Sequence, residues 1–215
     1  MTSREFTERL ARRARKANVE VPAEAIERLE TYYHLLARWN ERINLTSLPL
    51  RNPTDATFDR LFIEPLAAAR FVPGTRINWF DLGSGGGSPA LPLKLVRPTA
   101  HLTMIEAKTR KAAFLREAVR VLMLHGAIVQ DVRFEFLGDR PEVVHSVDVV
   151  TVRAVRTNAA LIGTAAKLLV PQGRLLLFAD PSVAAPHTRG AFSCEQTAKL
   201  SEQGRSYLSV LVRLN

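Results

Sequence analysis

The feature that most constrains the fold is a glycine-rich loop, GSGGGSP at residues 83–89, placed between an apolar run and a helical pattern. The run before it, NWFDL at residues 78–82, has the length and composition of a buried strand. Glycine lets the backbone turn sharply and approach another group where a Cβ atom would collide. A strand, a glycine turn and a helix in this order indicate an α/β fold built on a parallel sheet.

The sequence from Arg76 onward alternates short apolar runs with helical patterns, which is typical of βαβ units. We predict parallel strands at residues 77–82, 102–106, 127–131, 147–152 and 174–179. The clearest helix between them covers residues 109–125, and Gly126 is expected to end it. The last two apolar runs, 192–200 and 206–213, are joined around residues 202–204 without a helix and should form an antiparallel hairpin at one sheet edge.

The segment before these strands has helical periodicity instead. Apolar residues at helical spacing predict one helix over residues 3–17 and a longer one over residues 22–43. A third helix is expected to have Asn52 as its N-cap and Pro53 in its first position. Pro65 should disturb that helix, because proline lacks the backbone N–H that a helix interior needs.

These patterns predict a doubly wound, Rossmann-like α/β domain over residues 76–215, preceded by a helical extension over residues 1–75. A chain of 215 residues is long enough for one substantial core with an added element, but short for two independent enzyme domains. Hydrophobic residues make up 47% and charged residues 24%, a balance that argues against a largely disordered chain.

The net charge favours a polyanionic partner. Lys and Arg number 30 against 21 Asp and Glu, which gives +9 and a pI near 10.4. Nucleic acid is the leading candidate, and the basic segments at residues 9–16 and 108–120 are expected to contact its phosphates. Two plainer interpretations stay open: the charge serves only solubility, and each segment is a solvated helix face.

A single cysteine, Cys194, excludes an intrachain disulfide and a cysteine-based metal cluster. The N-terminal residues are rich in charge and lack the apolar core of a signal peptide. No stretch approaches the ~20 apolar residues of a membrane span. We therefore expect a cytoplasmic protein that has no membrane partner.

Asp81, just before the glycine loop, decides between two kinds of cofactor. Loops of the G-x-G type serve nicotinamide enzymes and methyltransferases alike, but the dinucleotide fingerprint wants glycine or alanine where this chain has Ser88. The dinucleotide fingerprint also has no acidic residue directly before the loop. S-adenosylmethionine carries an ammonium and a sulfonium but no phosphate, so carboxylates near the loop favour it.

A second acid, Glu106, follows the second predicted strand about twenty residues beyond the loop. A carboxylate there can accept hydrogen bonds from both ribose hydroxyls of a nucleoside cofactor. The alternative is that Glu106 only complements the dipole at the start of the next helix.

Some methyltransferase chemistries have no counterpart in the sequence. An exocyclic-amine methyltransferase should carry an Asn/Asp-Pro-Pro-aromatic string after the fourth strand, where this chain reads TVRAV at residues 151–155. A pyrimidine C5 enzyme needs a well-placed thiol nucleophile. Cys194 lies in a predicted tail strand and is expected to be a packed or exposed side chain instead.

Several strings resemble those of one family, the ribosomal small-subunit methyltransferase G family, also called glucose-inhibited division protein B. They are WNERINLT at 39–46, DLGSG at 81–85, IEA at 105–107 with Lys111, Phe114 and Leu115, RFE at 133–135 and RAV at 153–155. The resemblance runs from about residue 20 to the end of the chain. It is far more specific than the glycine loop alone.

The resemblance implies transfer of a methyl group from S-adenosylmethionine to N7 of a guanine in 16S ribosomal RNA. The expected partner is that RNA or a precursor of the small ribosomal subunit, and the expected state is a monomer. Together, loop, acids and resemblance predict the following cofactor-binding residues: Asp81, Gly83, Gly85, Gly87, Ser88, Glu106, Ala107, Lys108, Phe134, Glu135 and Arg153. Core packing is the alternative for Phe134 and Phe136, and the better one for one of the two. No metal is expected.

The chain departs from the family pattern at three places. Where members have Arg-His, an apolar residue and then Asp-Ser-Leu, this chain reads RLFIEPL at residues 60–66, so the histidine and serine are Leu61 and Pro65. The usual Lys-Gly after the fifth strand is Ala179 and Asp180, and the usual Phe-Pro-Gly after the loop is SPA. Two alternatives therefore stay open: a paralogue that has become an RNA-binding or assembly factor, and a methyltransferase with another acceptor.

The guanine acceptor would also explain why no catalytic dyad is evident. N7 of guanine has an in-plane lone pair and no proton at neutral pH, so we expect no side chain to act as a general base. Orientation alone can supply much of the rate enhancement. Arg153 is expected to position the cofactor or the RNA, and the alternative for it is a surface ion pair.

Overall fold

The computed structural model of the chain describes residues 1–74, 76–182, 188, 190–200 and 206–215. The α-helices are α1 (Ser3–Lys16), α2 (Ala23–Asn40), α3 (Asp55–Phe58), α4 (Glu64–Ala68), α5 (Ala90–Val96), α6 (Thr109–Val121) and α7 (Ala159–Leu168). A π-helical turn (Asp59–Ile63) joins α3 to α4, and 3₁₀ turns cover Ala69–Phe71 and Phe134–Asp139. The strands are β1 (Asn78–Leu82), β2 (His101–Ile105), β3 (Ala127–Gln130), β4 (Val147–Arg153), β5 (Leu169–Phe178), β6 (Phe192–Lys199) and β7 (Tyr207–Arg213).

The strands form one sheet in the order β3-β2-β1-β4-β5-β7-β6. β1 to β5 pair in parallel, whereas β7 is antiparallel to both β5 and β6. This confirms the predicted α/β class with five parallel strands and a C-terminal hairpin at the edge. The connection predicted at residues 202–204 lies outside the described residues. Because the strand order reverses between β1 and β4, a crevice opens at their carboxyl ends.

The fifth strand is longer than predicted, since β5 begins at Leu169 and not at 174. The sequence PQG at residues 171–173 reads as a turn, and Gln172 does have a positive φ of 65°. Leu169 nevertheless pairs with Val147, and the register shifts by a bulge before the regular pairing of Val149 with Arg174. A local turn signal was therefore overridden by pairing with the neighbouring strand.

The predicted start of the third helix is wrong. Thr54, not Asn52, is the N-cap, and its side chain accepts a hydrogen bond from the backbone N–H of Thr57 at 3.3 Å. The hydroxyl oxygen of Thr57 in turn accepts a hydrogen bond from the backbone N–H of Thr54 at 3.2 Å, so the two threonines form a capping box. Pro65 lies in the first turn of α4, directly after the π-helical turn, so the regular α-helix is interrupted just before the proline, in agreement with the predicted disturbance.

The predicted end of α6 is also wrong, since the helix stops at Val121 and not near His125. Met123 already has a left-handed φ of 47°, and Gly126 lies beyond it in the turn into β3. The apolar pattern continued past the true end because Leu122 and Leu124 are both buried without being helical.

Two apolar clusters cover the faces of the sheet. One joins the N-terminal helices to α5, α6 and one sheet face, with Phe6, Leu29 and Trp79 among its members; the other packs α7 on the opposite face. The guanidinium of Arg13 in α1 binds Asp59 at 2.5 Å in a buried ion pair. The N-terminal helices are thus fixed against the sheet. Among the described residues, no helix is both long and apolar enough to span a membrane.

Candidate active site

The glycine loop follows β1 directly and is tied to the end of β2. The backbone N–H groups of Gly83 and Ser84 both donate to the carbonyl of Ile105, at 2.8 and 3.0 Å. Gly83 has a φ of +75°, and a Cβ atom there would lie 2.5 Å from Val155 Cγ2. Any other residue at position 83 would therefore be strained and would collide with the segment after β4.

Gly87 also needs the absence of a side chain, but for packing under the loop. Its φ is +88°, and a Cβ atom would lie 2.3 Å from Leu91 Cδ1 in α5. The neighbouring carbonyl of Gly86 accepts a hydrogen bond from the hydroxyl of Tyr32 in α2 at 2.7 Å. The loop is therefore held from below by α5 and from the side by α2.

A cavity of about 720 Å³ lies at the carboxyl ends of β1, β2 and β4. Its strand wall consists of loop residues 83–86 and Glu106, which follow β1 and β2. Its helical wall consists of lining residues from the N-terminal helices, such as Tyr32, together with residues 44–48. Arg153, at the end of β4, lies between the two walls. The cavity thus occupies the crevice where parallel sheets of this order bind ligands.

The structure brings part of the predicted set into this cavity. The predicted residues that line it are Gly83, Gly85, Ser88, Glu106, Lys108 and Arg153. The predicted residues outside its lining are Asp81, Gly87, Ala107, Phe134 and Glu135.

Glu106 is 7% exposed, and both of its carboxylate oxygens accept backbone hydrogen bonds. Oε2 accepts from the N–H of Gly85 at 2.9 Å, and Oε1 accepts from the N–H of Lys108 at 2.8 Å. Lys108 is the N-cap residue of α6, so the helix-start contact considered as an alternative is present. Each oxygen keeps a further lone pair, and the side chain lines the cavity.

Asp81 is buried beneath the loop rather than in the cavity. Its Oδ1 accepts a hydrogen bond from the hydroxyl of Thr151 at 2.5 Å, and that hydroxyl accepts one from the indole N–H of Trp79 at 2.8 Å. Burial raises the pKa of Asp81 to about 6, against the opposing effects of the Ser84 and Thr151 side chains. The pKa places a change of charge close to physiological pH.

Arg153 is 7% exposed and forms a buried ion pair with Glu64 of α4. The same guanidinium donates to the carbonyl of Arg60 at 2.7 Å and to Ser88 Oγ at 3.1 Å. Burial lowers the pKa of Arg153 to about 10, against the effect of the Glu64 carboxylate. Arg153 does form an ion pair, as the alternative expected, but the pair is buried at the cavity and not on the surface.

Glu64 and Arg60 are functional candidates that the sequence interpretation missed. Arg60 Nη1 lies 3.3 Å from Glu64 Oε2 and donates to Ser206 Oγ at 3.1 Å. The sequence did contain a signal for this ion pair, since Arg60 and Glu64 have the i, i+4 spacing typical of a helical ion pair. That string was interpreted only for its differences from the family pattern. Of the two departures in this string, both Leu61 and Pro65 are buried, and Leu61 also lines the cavity.

Asp180 and the predicted residues that follow β3 do not line the cavity. Asp180 accepts hydrogen bonds from the backbone N–H and the hydroxyl of Ser182 at 2.9 and 2.7 Å. Phe134 is partly buried against the second apolar cluster, whereas Phe136 is 61% exposed. Phe134 thus packs in part against the core, which is the alternative given for one of the two phenylalanines. Glu135 is exposed.

The segment after α2 is held by Asn40, another residue whose role was missed. Its Oδ1 accepts hydrogen bonds from the backbone N–H groups of Leu45 and Thr46 at 2.9 and 3.0 Å. The predicted continuation of this helix to residue 43 is therefore wrong, because the Asn40 side chain stabilises a turn there. The turn brings residues 44–48 into the helical wall.

Solved structures share this architecture. A S-adenosylmethionine-dependent methyltransferase from Aquifex aeolicus superposes with a TM-score of 0.57 over 73% of this chain and 92% of that one, at 14% identity. TrmN from Thermus thermophilus gives a TM-score of 0.56 over 70% of this chain and 47% of that one, at 20% identity. The fold is therefore that of the Rossmann-like methyltransferases.

Sequence comparison gives the family. The model of rRNA small subunit methyltransferase G matches residues 25–196. A relative of that name from Halorhodospira halophila is 36% identical over 78% of this chain and 75% of its own length. The namesake from Bacillus subtilis is 32% identical over 75% of this chain and 65% of its own length. The chain belongs to the rRNA small subunit methyltransferase G family.

Proposed function

We propose that the protein transfers the methyl group of S-adenosylmethionine to N7 of a guanine in 16S ribosomal RNA. The observation that carries this proposal is the cavity itself, whose strand wall presents Glu106 and a glycine loop beside the basic side chains of Lys108 and Arg153. A carboxylate suits a cationic nucleoside cofactor, and basic side chains suit RNA. Membership in a family named for ribosomal RNA methylation supports the same assignment.

The residues of the strand wall fit S-adenosylmethionine. A Cβ atom at Gly85 would have only the carbonyl of Gly83 within 4 Å, at 3.8 Å, so this face of the loop is open to a ligand. Glu106 has lone pairs left for ribose hydroxyls, and the buried Asp81 adds negative potential beneath the loop when it is ionised. We propose that Ser88, Lys108 and Arg153 complete the contact set.

The remaining predicted residues are proposed to serve the same cofactor less directly. Gly87 keeps the loop closely packed on α5. Ala107, Phe134 and Glu135 follow β2 and β3, the neighbours on the far side of β1, and are proposed to meet the adenine end. None of these residues needs to titrate in the reaction.

The chain's own task in this chemistry is positioning. S-adenosylmethionine, when bound, supplies an electrophilic methyl group, and guanine N7 carries no proton that must first be removed. Arg153 is held by Glu64 and by the Arg60 carbonyl, so its direction is fixed before RNA arrives. We propose that it positions the loop through Ser88 and faces the acceptor. Preorganised orientation of this kind accounts for a large part of enzymatic rate enhancement.

We propose that the acceptor is an unpaired guanine, since N7 is poorly reached in the narrow major groove of an A-form helix. The substrate would be ribosomal RNA or a precursor of the small subunit, modified in the cytoplasm by a monomer. Residues 76–215 would form the methyltransferase domain, and the extension at residues 1–75 would supply the helical wall.

Mass spectrometry of small-subunit ribosomal RNA from the source organism, with and without the gene, tests the proposal. We expect one 7-methylguanine to disappear and to return when the gene is restored. The Glu106→Ala gene should fail to restore it, whereas Glu142→Ala, which removes an exposed carboxylate, should succeed. Unchanged methylation with altered subunit assembly would instead indicate an assembly factor.

A further inference from the structure

A second concavity lies beside the cavity, between the end of α2 and the start of α6. We name it the Trp39 groove; it encloses about 390 Å³ and is lined by Arg38, Trp39, Arg42, Ile43, Arg110 and Ala113. Its floor is apolar and its rim is basic. No residue of this groove belongs to the cofactor site proposed above.

The floor of the groove is held by side-chain contacts. Trp39 packs against Phe114 of α6 with ring centroids 5.9 Å apart, and its indole N–H donates to Glu117 Oε2 at 2.9 Å. The other Glu117 oxygen accepts from Arg38 at 2.9 Å. Trp39 is partly buried and so presents part of its surface to the groove. An aromatic ring held in this way is a preformed seat for a planar group.

The rim carries charge that the described part of the chain does not neutralise. Arg42 and Arg110 are exposed, and neither forms a side-chain hydrogen bond or ion pair with any residue that the structure describes. Arg38 is the rim arginine that pairs, with Glu117. An apolar floor between two unpaired guanidinium groups complements a base flanked by phosphates.

The groove adjoins the cavity through consecutive residues. Ile43 lines the groove and Asn44 lines the cavity, while Arg110 lines the groove and Lys111 lines the cavity. The backbone between them is fixed by Asn40, which binds the N–H of Leu45. One strand of RNA can therefore cross residues 43 and 44 and enter both.

We propose that the Trp39 groove binds an unpaired nucleotide of the RNA substrate, a neighbour of the one that is methylated. Its base packs on Trp39 and Ile43, and Arg42 and Arg110 bind the phosphates on either side of it. The proposal rests on the proposed function for the identity of the RNA, but not for the binding of single-stranded RNA as such.

Intrinsic fluorescence tests the groove without any methylation assay. The chain has two tryptophans, and Trp79 is fully buried, so Trp39 is the one that a ligand in the groove can quench. Titration with oligouridylate should quench the emission of the wild-type protein. It should leave the emission of Trp39→Phe nearly unchanged. Quenching that persists in Trp39→Phe, or no quenching in the wild type, would overturn the proposal.

Charge removal on the rim gives an independent test. The Arg42→Gln, Arg110→Gln double variant should raise the KM for 16S ribosomal RNA about 10-fold or more and make its salt dependence shallower by about two phosphates. The matched control, Arg4→Gln with Arg76→Gln, removes the same charge from exposed positions outside both sites and should leave that KM unchanged. Affinity for S-adenosylmethionine should stay at its wild-type value in both.

Each failure has a distinct meaning. If neither the wild type nor any variant binds S-adenosylmethionine, the proposed function is contradicted. The groove proposal is not, because the oligouridylate titration measures RNA binding in the groove independently. A double variant that methylates free RNA normally and fails only on assembled subunits would overturn the groove proposal, because the occupant would then be a ribosomal protein. Equal effects of the double variant and its control would overturn it as well.

Discussion

The two walls of the cavity are built in different ways. The strand wall consists of residues that directly follow strands. Its hydrogen bonds join the ends of neighbouring strands, such as Gly85 after β1 with Glu106 after β2. The helical wall depends on contacts between residues far apart in sequence, such as Arg153 with Glu64 and Tyr32 with Gly86. We infer that the strand wall holds the cofactor and that the helical wall holds the strand wall in place.

The largest expected effect is on the helical wall. Glu64→Gln keeps the shape of the side chain but leaves Arg153 as a buried charge without its counterion, which should lower the free energy of unfolding by about 3 kcal/mol. Denaturation by urea measures it. The matched control is Glu8→Gln, which removes an exposed ion pair with Arg4. It should change the free energy of unfolding by less than about 0.5 kcal/mol. Equal stability of the two variants would mean that the buried pair does not support this wall.

A smaller effect is expected on the strand wall, and on binding rather than on folding. Glu106→Ala should weaken S-adenosylmethionine binding by roughly 1.5 to 3 kcal/mol, the cost of losing a charged hydrogen-bonding partner. Asp81→Ala should weaken it less, because the buried Asp81 carboxylate lies outside the cavity and acts only through its charge beneath the loop. Calorimetric titration gives the affinities, and Glu142→Ala is the control for a lost surface carboxylate. Wild-type affinity in both variants would remove these acids from the site.

The sequence predicted the strand wall better than the helical wall for a physical reason. The loop and Glu106 follow apolar runs that are recognisable one by one, so strand order places them together, whereas Asp81 lies within β1 and is buried beneath the loop. Arg153 was predicted at the site for the same reason. Its partner Glu64 was not, since nothing local indicates that the third helix folds back over the end of β4.

The error at the start of the third helix has a different origin. Asn52 and Pro53 form a credible helix start, but Thr54 and Thr57 offer a reciprocal pair of hydrogen bonds that outcompetes it. Local propensity identifies the elements, and the balance between competing local contacts decides where each one ends.

The pH dependence of stability should separate Asp81 from the other acids. Its pKa is raised to about 6 in the folded protein, so the folded state binds this proton more tightly than the unfolded state does. The stability that Asp81 contributes is complete below about pH 4 and is lost as the pH rises through about 6. The unfolding free energy of the wild type should therefore fall, relative to Asp81→Asn, across this window. A constant difference between the two would contradict the shifted pKa.

The smallest expected effect concerns the hydrogen bond that joins the two walls. Tyr32→Phe removes the hydroxyl that donates to the Gly86 carbonyl and leaves the ring in place. We expect a loss of about 1 kcal/mol in unfolding free energy, together with weaker S-adenosylmethionine binding because the loop is less constrained. Tyr33→Phe is the control, since its hydroxyl binds Leu50, away from the loop. Equal effects on binding would show that α2 does not constrain the loop.

The central claim is that the cavity positions a guanine N7 for methyl transfer without a general base. Single-turnover methylation of unmodified 16S ribosomal RNA by the purified protein, followed across pH with identification of the product, tests it most directly. The account predicts one 7-methylguanine and a rate that stays level from about pH 7 upward, because guanine N7 carries no proton to be removed. A rate that keeps rising steeply through neutral pH, or a methyl group on any other atom, would contradict it.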